Sequence, residues 1–345
     1  MLKNHANVFF ILISLLLLMS IMASLLLGTV NISVIELFKV LLAPVINNQL
    51  ADSKVVIDNI LDTVIWQIRM PRLLSACLVG AGLAISGAIL QNTTRNPLAD
   101  PYLFGLMAGA GLGATIVSIV LPAHFISIAV GAFIGSLLAV VMVFAVCIGS
   151  NWRKPELSLL AGVAVSFMLS AMTSFILYFA EPFAANRVIF WLLGSLSPTD
   201  WFSVKLLAPI FVLVLLLALA LRRQLDALLL SDESAQTLGV NTVKLRLVLI
   251  IATALLTAAI VSQSGGIAFV GLMVPHIARQ LFAVTATKLL IGSALIGALF
   301  MIWVDNLARI ALPQQEIPLG VVTSFIGSIF FLFLMRNQAK KECST

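Results

Sequence analysis

Long apolar runs alternate with short polar stretches over the whole length of this 345-residue chain. Each run holds roughly 20 residues, which is what an α-helix needs to cross about 30 Å of hydrocarbon. The pattern therefore predicts an all-α polytopic membrane protein with about ten transmembrane helices, in a single membrane domain over residues 1–345. The ten predicted spans cover residues 8–28, 72–90, 99–120, 124–148, 156–179, 201–221, 245–262, 267–282, 288–307 and 318–335.

The first span, and the pair of spans on either side of residues 263–266, allow a second interpretation. The first follows a short basic start, and Ala23 and Gly28 stand near a possible signal-peptide cleavage site. We favour an uncleaved span, because its apolar run is longer than the 7 to 15 residues typical of a signal peptide. The stretch Gln263–Gly266 either separates two spans, as we count them, or lies within one long span. An outer loop of about residues 29–70 joins the first two spans.

The polar segment Arg222–Arg246 interrupts the series of apolar runs and carries the signals of a short capped helix. Ser231 is a favourable N-cap, and Asp232 and Glu233 place negative charge in the first helical turn. Gly239 can adopt the left-handed conformation that ends a helix. We expect a short helix just after Ser231.

This segment also has an apolar side, formed by Leu228, Leu229, Leu238 and Val240. Two helical turns cannot bury that side by themselves, so it requires a partner. The residues fit two interpretations equally well: a surface that docks on another protein, or an interfacial helix that lies on lipid headgroups.

Composition and charge agree with a membrane protein and supply its orientation. The chain is 61% hydrophobic and 10% charged, with a mean hydropathy of +1.14, which is more apolar surface than one soluble core can hide. With a cytoplasmic N-terminus, 13 of the 20 basic residues fall on the inner side, so the positive-inside rule places both termini in the cytoplasm. The basic pI then reflects topology and predicts no nucleic-acid partner. The inner basic residues are Lys3, Arg95, Arg153, Lys154, Arg222, Arg223, Lys244, Arg246, Arg279, Lys288, Arg336, Lys340 and Lys341.

Arginines flank Pro71 where the second span begins. Pro71 favours a helix start, and Arg69 and Arg72 would then lie at the outer membrane surface. They could pair with carboxylates of a soluble partner, or they could extend toward lipid phosphates. The residues alone favour the lipid contact.

Arg69, Pro71 and Arg72 precede a glycine-rich span, and a turn with two prolines precedes the next span. The further motifs are Arg95–Pro101 followed by Gly105, Gly109 and Gly113, then Trp191–Ser195, Glu233–Val240, Gly265–Arg279 and Glu316–Gly320. Together these motifs resemble the permease family of ATP-binding-cassette importers for iron chelates, haem and cobalamin, the FecCD-like family. The resemblance covers about residues 60–336. It departs at Met107 and Ala108, where relatives usually carry small hydroxyl residues, so this wall of a pathway would be more apolar than usual.

The resemblance implies a permease subunit in the bacterial inner membrane that pairs with a second copy of itself. It implies two ATP-binding subunits below, which would hold ATP and Mg²⁺, and a periplasmic binding protein above; this chain itself would bind no cofactor and no metal. Arg69, Arg72 and Arg309 match the arginines that receive the binding protein. The residues that match the ATPase-coupling segment are Leu228, Leu229, Ser231, Asp232, Glu233, Ala235, Leu238, Gly239 and Val240. The residues expected in the pathway or in helix packing are Asn96, Pro97, Gly105, Gly109, Gly113, Gly265, Gly266, Gly271 and Pro275.

Other function classes have weaker support in the residues. An ion-coupled secondary transporter should carry ionisable groups within its spans, and spans three to five carry almost none. An enzyme should show a catalytic cluster, and no such pattern or phosphate-binding loop occurs in the sequence. The lone His276 is assigned no catalytic role. Asp305 and Arg309 stand four residues apart, so a helical ion pair would compete with docking by Arg309.

Overall fold

The computed structural model of the chain describes residues 6–28, 32–49, 59–121, 127–147, 155–282, 285–312 and 314–342. Lys3, Arg153, Lys154 and Cys343, on which part of the sequence interpretation rests, lie outside these ranges. The regular structure of the described residues is helical. Its α-helices are α1 (Ala6–Leu26), α2 (Val34–Gln49), α3 (Asn59–Thr63), α4 (Met70–Thr94), α5 (Leu106–Thr115), α6 (Ile128–Cys147), α7 (Pro155–Tyr178), α8 (Pro182–Leu192), α9 (Trp201–Ala220), α10 (Arg222–Leu228), α11 (Asp232–Thr237), α12 (Thr242–Ser264), α13 (Val270–Phe282), α14 (Ala286–Ile310) and α15 (Leu319–Glu342).

Eight helical stretches in the described part of the chain are long and apolar enough to cross a membrane. The all-α membrane architecture predicted from the sequence is therefore confirmed. Two of the ten predicted spans are shorter than a full crossing: the apolar helix of the third is Leu106–Val120, and the eighth contains only α13. The eight long stretches are Asn7–Leu26, Ile60–Thr94, Ile128–Cys147, Leu157–Tyr178, Trp201–Ala220, Thr242–Ser264, Ala286–Ile310 and Leu319–Arg336.

Several predicted boundaries were wrong for local reasons. The third span starts seven residues later than residue 99, because a 3₁₀ turn at Pro101–Phe104 and a left-handed Gly105 precede α5. The eighth span starts at Val270 rather than 267, because Gly265 and Phe269 have positive φ angles that a helix cannot include. Helix α12 ends at Ser264, so two separate helices flank Gly265 and Gly266.

The segments predicted as outer loops contain helices of their own. The described part of residues 29–70 includes α2, α3 and a π-helical turn at Val64–Arg69 that runs directly into α4. The second span is consequently longer than the predicted 72–90, because helical structure continues from Ile60 to Thr94. A further helix, α8, lies between the fifth and sixth predicted spans.

Helix α4 forms the centre of the molecule and packs against α9, α12, α13 and α14. In its most apolar 18 residues, 83% are buried within the chain, whereas the corresponding figure for α1, α7, α9 and α15 is 22%. Glycines permit the close contacts of α4: a Cβ on Gly80 would lie 2.1 Å from the carbonyl oxygen of Gly297, and one on Gly87 would lie 1.8 Å from that of Gly271. These backbone contacts fix α4 between α13 and α14.

Helices α5, α6 and α7 form a second packed group beside α12. Gly109 of α5 lies against Gly135 of α6, and Gly113 lies against Gly131. Among the predicted pathway or packing residues, Gly109, Gly113 and Gly271 therefore have packing roles. The outward faces of α1, α7, α9 and α15 remain apolar and uncovered, as expected of surfaces that meet lipid or another chain.

Candidate docking, coupling and pathway sites

The segment Arg222–Arg246 is called the coupling segment here, after its predicted role. The opposite end of the molecule, called the outer end, holds a cluster of charged side chains. This outer arginine cluster consists of Arg69, Arg72, Asp305, Arg309 and Glu316. Arg72 is its centre: Nε donates to Oδ1 of Asp305 at 3.0 Å and Nη2 donates to the same atom at 2.8 Å. Its Nη1 and Nη2 also donate to Oε1 and Oε2 of Glu316, at 2.7 and 2.8 Å. One buried guanidinium thus binds two carboxylates.

The other two arginines of the cluster also have partners within the chain. Arg69, which is 6% exposed, donates from Nη1 to the carbonyl oxygens of Leu25 and Leu26 at 2.6 and 3.2 Å. Nε of Arg309 lies 3.2 Å from Oδ2 of Asp305, which confirms the predicted spacing-four ion pair. The two buried arginines do not extend toward lipid phosphates, so that interpretation of Arg69 and Arg72 was wrong.

A cavity of about 430 Å³ opens beside this cluster. The three arginines line it together with Ser197, Gln314 and Glu316. The structure thus brings the three predicted docking arginines to one place, but each is already bonded to other parts of the chain. The two carboxylates of the cluster differ strongly in exposure: the side chain of Asp305 is 2% exposed, and that of Glu316 is 39% exposed.

At the opposite, inner end, the coupling segment Arg222–Arg246 forms α10, α11 and the start of α12. The predicted caps of α11 are confirmed: the Ser231 hydroxyl accepts a hydrogen bond from the Ser234 amide at 3.0 Å, and Gly239 has a φ angle of +79°. Asp232 and Glu233 occupy the first turn, as predicted. The sequence signals were sufficient here because caps depend on neighbouring residues only.

The predicted apolar side of this segment is divided between the interior and the surface. Leu228 and Ala235 are fully buried within the chain, so they position the segment and cannot touch a partner. Leu229 and Leu238 are exposed, Leu238 by 65%, while Val240 is half-buried and packs on the main core. The free apolar surface consists of Leu229, Leu230 and Leu238.

Asp232 attaches α11 to the spans through two arginines that the sequence interpretation did not pair with it. Arg246 of α12 donates from Nη1 to Oδ2 at 2.9 Å and from Nη2 to Oδ1 at 2.8 Å. Arg95, just after α4, donates to Oδ1 at 2.5 Å and to the carbonyl oxygen of Leu228 at 2.5 Å. Burial opposes ionisation of Asp232, but the bonds and charges of Arg246 and Arg95 outweigh it and lower the pKa of the carboxyl. A charged carboxylate therefore joins α11 to α4 and α12.

A second carboxylate joins the coupling segment to α14. Oδ1 of Asp226, in α10, accepts a hydrogen bond from the backbone amide of Ala286 at 2.7 Å. Ala286 is the first residue of α14, so Asp226 satisfies one of the free amides at that helix start. The coupling segment is thus bonded to three of the helices that form the core.

Two cavities lie beside the loop that joins α12 to α13. One, of about 700 Å³, is lined by parts of that loop and by α15; the other, of about 430 Å³, is lined by α5 and α7. Tyr102, Met107 and Leu192 line both cavities and separate them. No charged side chain of the described residues lines either one. Their walls carry hydroxyl groups that sequence reasoning did not single out: Ser166, Ser170, Thr173, Ser174, Ser324 and Ser328.

Met107 and Ala108, where relatives usually carry hydroxyl residues, lie on the wall of these cavities. Both residues line the smaller cavity, and the hydroxyls expected there are supplied instead by α7. Tyr102 fixes the loop beside the cavities, because its hydroxyl accepts from the Ile267 amide at 3.2 Å and donates to the Ile267 carbonyl oxygen at 3.1 Å. Of the predicted pathway glycines, Gly266 lines the larger cavity.

The remaining predicted residues have structural positions. Asn96 forms a turn by accepting a hydrogen bond from the Leu98 amide at 2.9 Å, and Gly105 and Gly265 have positive φ angles at chain reversals. Pro275 is buried within α13. Pro97 lines an inner cavity of about 500 Å³ with His276 and Arg279, and His276 makes a 3.1 Å contact with Gln280.

Comparison with known proteins agrees with this architecture. The model of the FecCD transport family matches residues 16–337. The chain is 37% identical over 287 residues to the Fe(3+)-citrate import system permease protein YfmE of Bacillus subtilis, covering 83% of this chain and 86% of that one. It is 38% identical over 276 residues to the cobalamin import system permease protein BtuC of Halobacterium salinarum, covering 80% and 74%. A solved structure described as an inward-facing metal-chelate type ABC transporter matches with a TM-score of 0.83 and 30% identity, covering 96% of this chain and 99% of that chain. The chain belongs to the FecCD transport family.

Proposed function

We propose that this chain is the permease subunit of an ATP-binding-cassette importer that moves a metal chelate or a related macrocycle across the bacterial inner membrane. The observation that carries the proposal is the family match over residues 16–337. Two copies of the chain form the pathway, two separate ATPase subunits bind ATP and Mg²⁺, and a periplasmic protein delivers the cargo. Both termini and the coupling segment face the cytoplasm.

We assign a different role to each of the three sites along the molecule. The outer arginine cluster receives the binding protein, the two neutral cavities form part of the pathway wall, and Leu229, Leu230 and Leu238 contact the ATPase subunit. An ion-coupled mechanism has less support, because no charged side chain of the described residues lines the two cavities.

The walls of the cavities suit a cargo whose charges are enclosed. Hydroxyl, thioether and aliphatic groups offer weak contacts to a chelate surface, and they provide no fixed charge that would hold an ion. Similarity does not select one cargo, because relatives named for iron citrate and for cobalamin are 37% and 38% identical to this chain. We propose an iron-siderophore as the leading cargo, with haem and cobalamin next.

The proposed coupling contact is tested by Leu238→Asp. Since Leu238 is 65% exposed in the single chain, the change should leave the permease fold intact. In the complete complex it would place a carboxylate in an apolar contact, at a cost of about 3 kcal/mol or more if the group is fully desolvated. We expect loss of the ATPase subunit on purification, or loss of ATP hydrolysis stimulated by the loaded binding protein.

A matched control is Gln236→Asp, which adds the same charge two residues earlier, within α11, at an exposed polar position. It should retain the ATPase subunit and stimulated hydrolysis. If Leu238→Asp transports and hydrolyses at the wild-type rate in liposomes, α11 is not the coupling element.

A further inference from the structure

We infer that the Glu316 carboxylate occupies the place on Arg72 that an acidic side chain of the docking protein takes, so that docking displaces Glu316 and frees the start of α15. This inference rests on the proposed function, in which the outer arginine cluster receives a soluble protein. Glu316 would then set the affinity of the docking surface for its partner, and it would link that surface to the pathway. The partner chemistry is a Glu or Asp side chain that can bind a guanidinium through two oxygens.

The geometry at Arg72 identifies Glu316 as an occupant of a carboxylate site. Both of its oxygens accept from Arg72, at 2.7 and 2.8 Å, in the two-point arrangement that arginine offers to any carboxylate. An incoming acidic side chain would seek this same edge of the guanidinium, because Asp305 already holds the other edge.

Exposure shows which of the two carboxylates can be exchanged. Asp305 is 2% exposed, and it lies between Arg72 and Arg309, so removing it would take away the buried carboxylate that these two guanidiniums share. Glu316 is 39% exposed and lines the cavity of about 430 Å³, where a foreign side chain could enter. After Glu316 leaves, Arg72 would still be paired with Asp305.

The charge of the cluster also favours a guest carboxylate. Three arginines face two carboxylates within the cluster, which leaves one positive charge in excess before any partner arrives. When an acidic side chain binds and Glu316 moves into solvent, the cluster again has three arginines and two carboxylates. A partner that brings two acidic groups could neutralise the excess charge as well.

Glu316 is connected to the pathway by a short stretch of bonded backbone. The amide of Ile317 donates to the carbonyl oxygen of Ala308 at 3.1 Å, and the amides of Leu319 and Gly320 donate to those of Gly194 and Leu193, each at 2.9 Å. Gly320 also lines the cavity of about 700 Å³. Release of Glu316 removes the side-chain bonds that hold this stretch at its outer end.

The test compares Glu316→Gln with wild type in the complete complex of permease and ATPase in liposomes or nanodiscs. The amide keeps the shape of the side chain but gives up its charge-assisted bonds to Arg72. We expect the binding protein, loaded with its chelate, to bind about tenfold more tightly, because it no longer competes with an internal carboxylate. We also expect faster hydrogen exchange of the amides of Ile317, Leu319 and Gly320 without any binding protein present.

The matched control is Glu181→Gln, at an exposed outer carboxylate whose side chain makes no capping bond. It should change neither affinity nor exchange. Adding the binding protein to the wild-type complex should accelerate exchange of the same three amides; protection of those amides on docking would overturn the inference. Unchanged or weaker affinity of Glu316→Gln would overturn it too.

A third variant separates this inference from the proposed docking site. If Arg309→Gln weakens binding while Glu316→Gln has no effect, docking at the cluster stands and the displacement of Glu316 is rejected. If neither variant alters affinity, the docking site itself is wrong. Should Glu316→Gln fail to assemble, Glu316→Asp keeps the charge but shortens the reach to Arg72, and it should raise affinity by a smaller factor.

Discussion

Asp305 and Glu316 both bind Arg72, but they should serve different purposes, and Asp305 is the buried one. It is 2% exposed and lies within ion-pair distance of both Arg72 and Arg309. Removing one partner of a buried ion pair leaves an uncompensated charge inside the protein. This lowers stability more than replacing the whole pair with apolar residues does. Asp305 should therefore matter for folding, whereas the more exposed Glu316 should matter for binding.

We predict that Asp305→Asn lowers the free energy of unfolding by about 3 to 5 kcal/mol, because two buried guanidiniums lose their shared counter-charge. The measurement is the midpoint of thermal unfolding in detergent, compared with Glu316→Gln as the control. Glu316→Gln should shift the midpoint much less, since Arg72 keeps Asp305. Equal midpoints for Asp305→Asn and wild type would show that the pair contributes nothing to stability.

Local residue contacts could be predicted from the sequence, and distant ones could not. The Asp305–Arg309 pair follows from a spacing of four on a helix, and the cap at Ser231 follows from its immediate neighbours. The pairing of Arg72 with Asp305 spans 233 residues and exists only because α4 packs on α14. The attachment of Asp232 to Arg95 depends in the same way on tertiary structure.

At the scale of elements, apolar length predicted where the long membrane helices lie, but it predicted neither the helices of the outer segments nor the places where helices break. Hydropathy continues through Gly105 and through Gly265–Phe269, although positive φ angles interrupt the helix at both places. The result is two short helical elements, Leu106–Val120 and α13, where full spans were predicted. Non-helical backbone at membrane depth is tolerated where protein or a water-filled cavity surrounds it, which fits the cavities beside the loop between α12 and α13.

We predict that Gly87→Ala disrupts the contact between α4 and α13. Its new Cβ would lie 1.8 Å from the carbonyl oxygen of Gly271, and backbone cannot move aside as a side chain can. We expect a loss of about 3 kcal/mol in stability, seen as a lower unfolding midpoint and reduced yield of monodisperse protein. Gly82→Ala is the control on the same helix.

In that control the new Cβ would meet the Cδ1 atom of Ile260 at 2.6 Å, which is the end of a flexible side chain. It should be tolerated with a small shift of the midpoint. If both variants unfold at the same temperature, close backbone contact at Gly87 does not decide the packing of α4.

For the whole molecule, the distribution of charge predicts that both termini and the coupling segment face the cytoplasm. In a variant without Cys77, Cys147 and Cys343, a single cysteine at exposed Glu181 should react in intact cells with a probe that cannot cross the inner membrane. A cysteine at exposed Glu233 should react only after the membrane is opened. The reverse result would invert the topology and remove the outer arginine cluster from the periplasm.

Helix α14 physically connects the two ends of the protein. With 25 residues it is about 37 Å long; Asp226 of the coupling segment binds its first amide, and Asp305 and Arg309 stand near its last turn. If docking outside and nucleotide binding inside both act on this helix, thermodynamic linkage makes their influence mutual. If the binding protein changes the affinity for ATP by some factor, ATP changes the affinity for the binding protein by the same factor, so the nucleotide state would set how tightly the delivery protein binds.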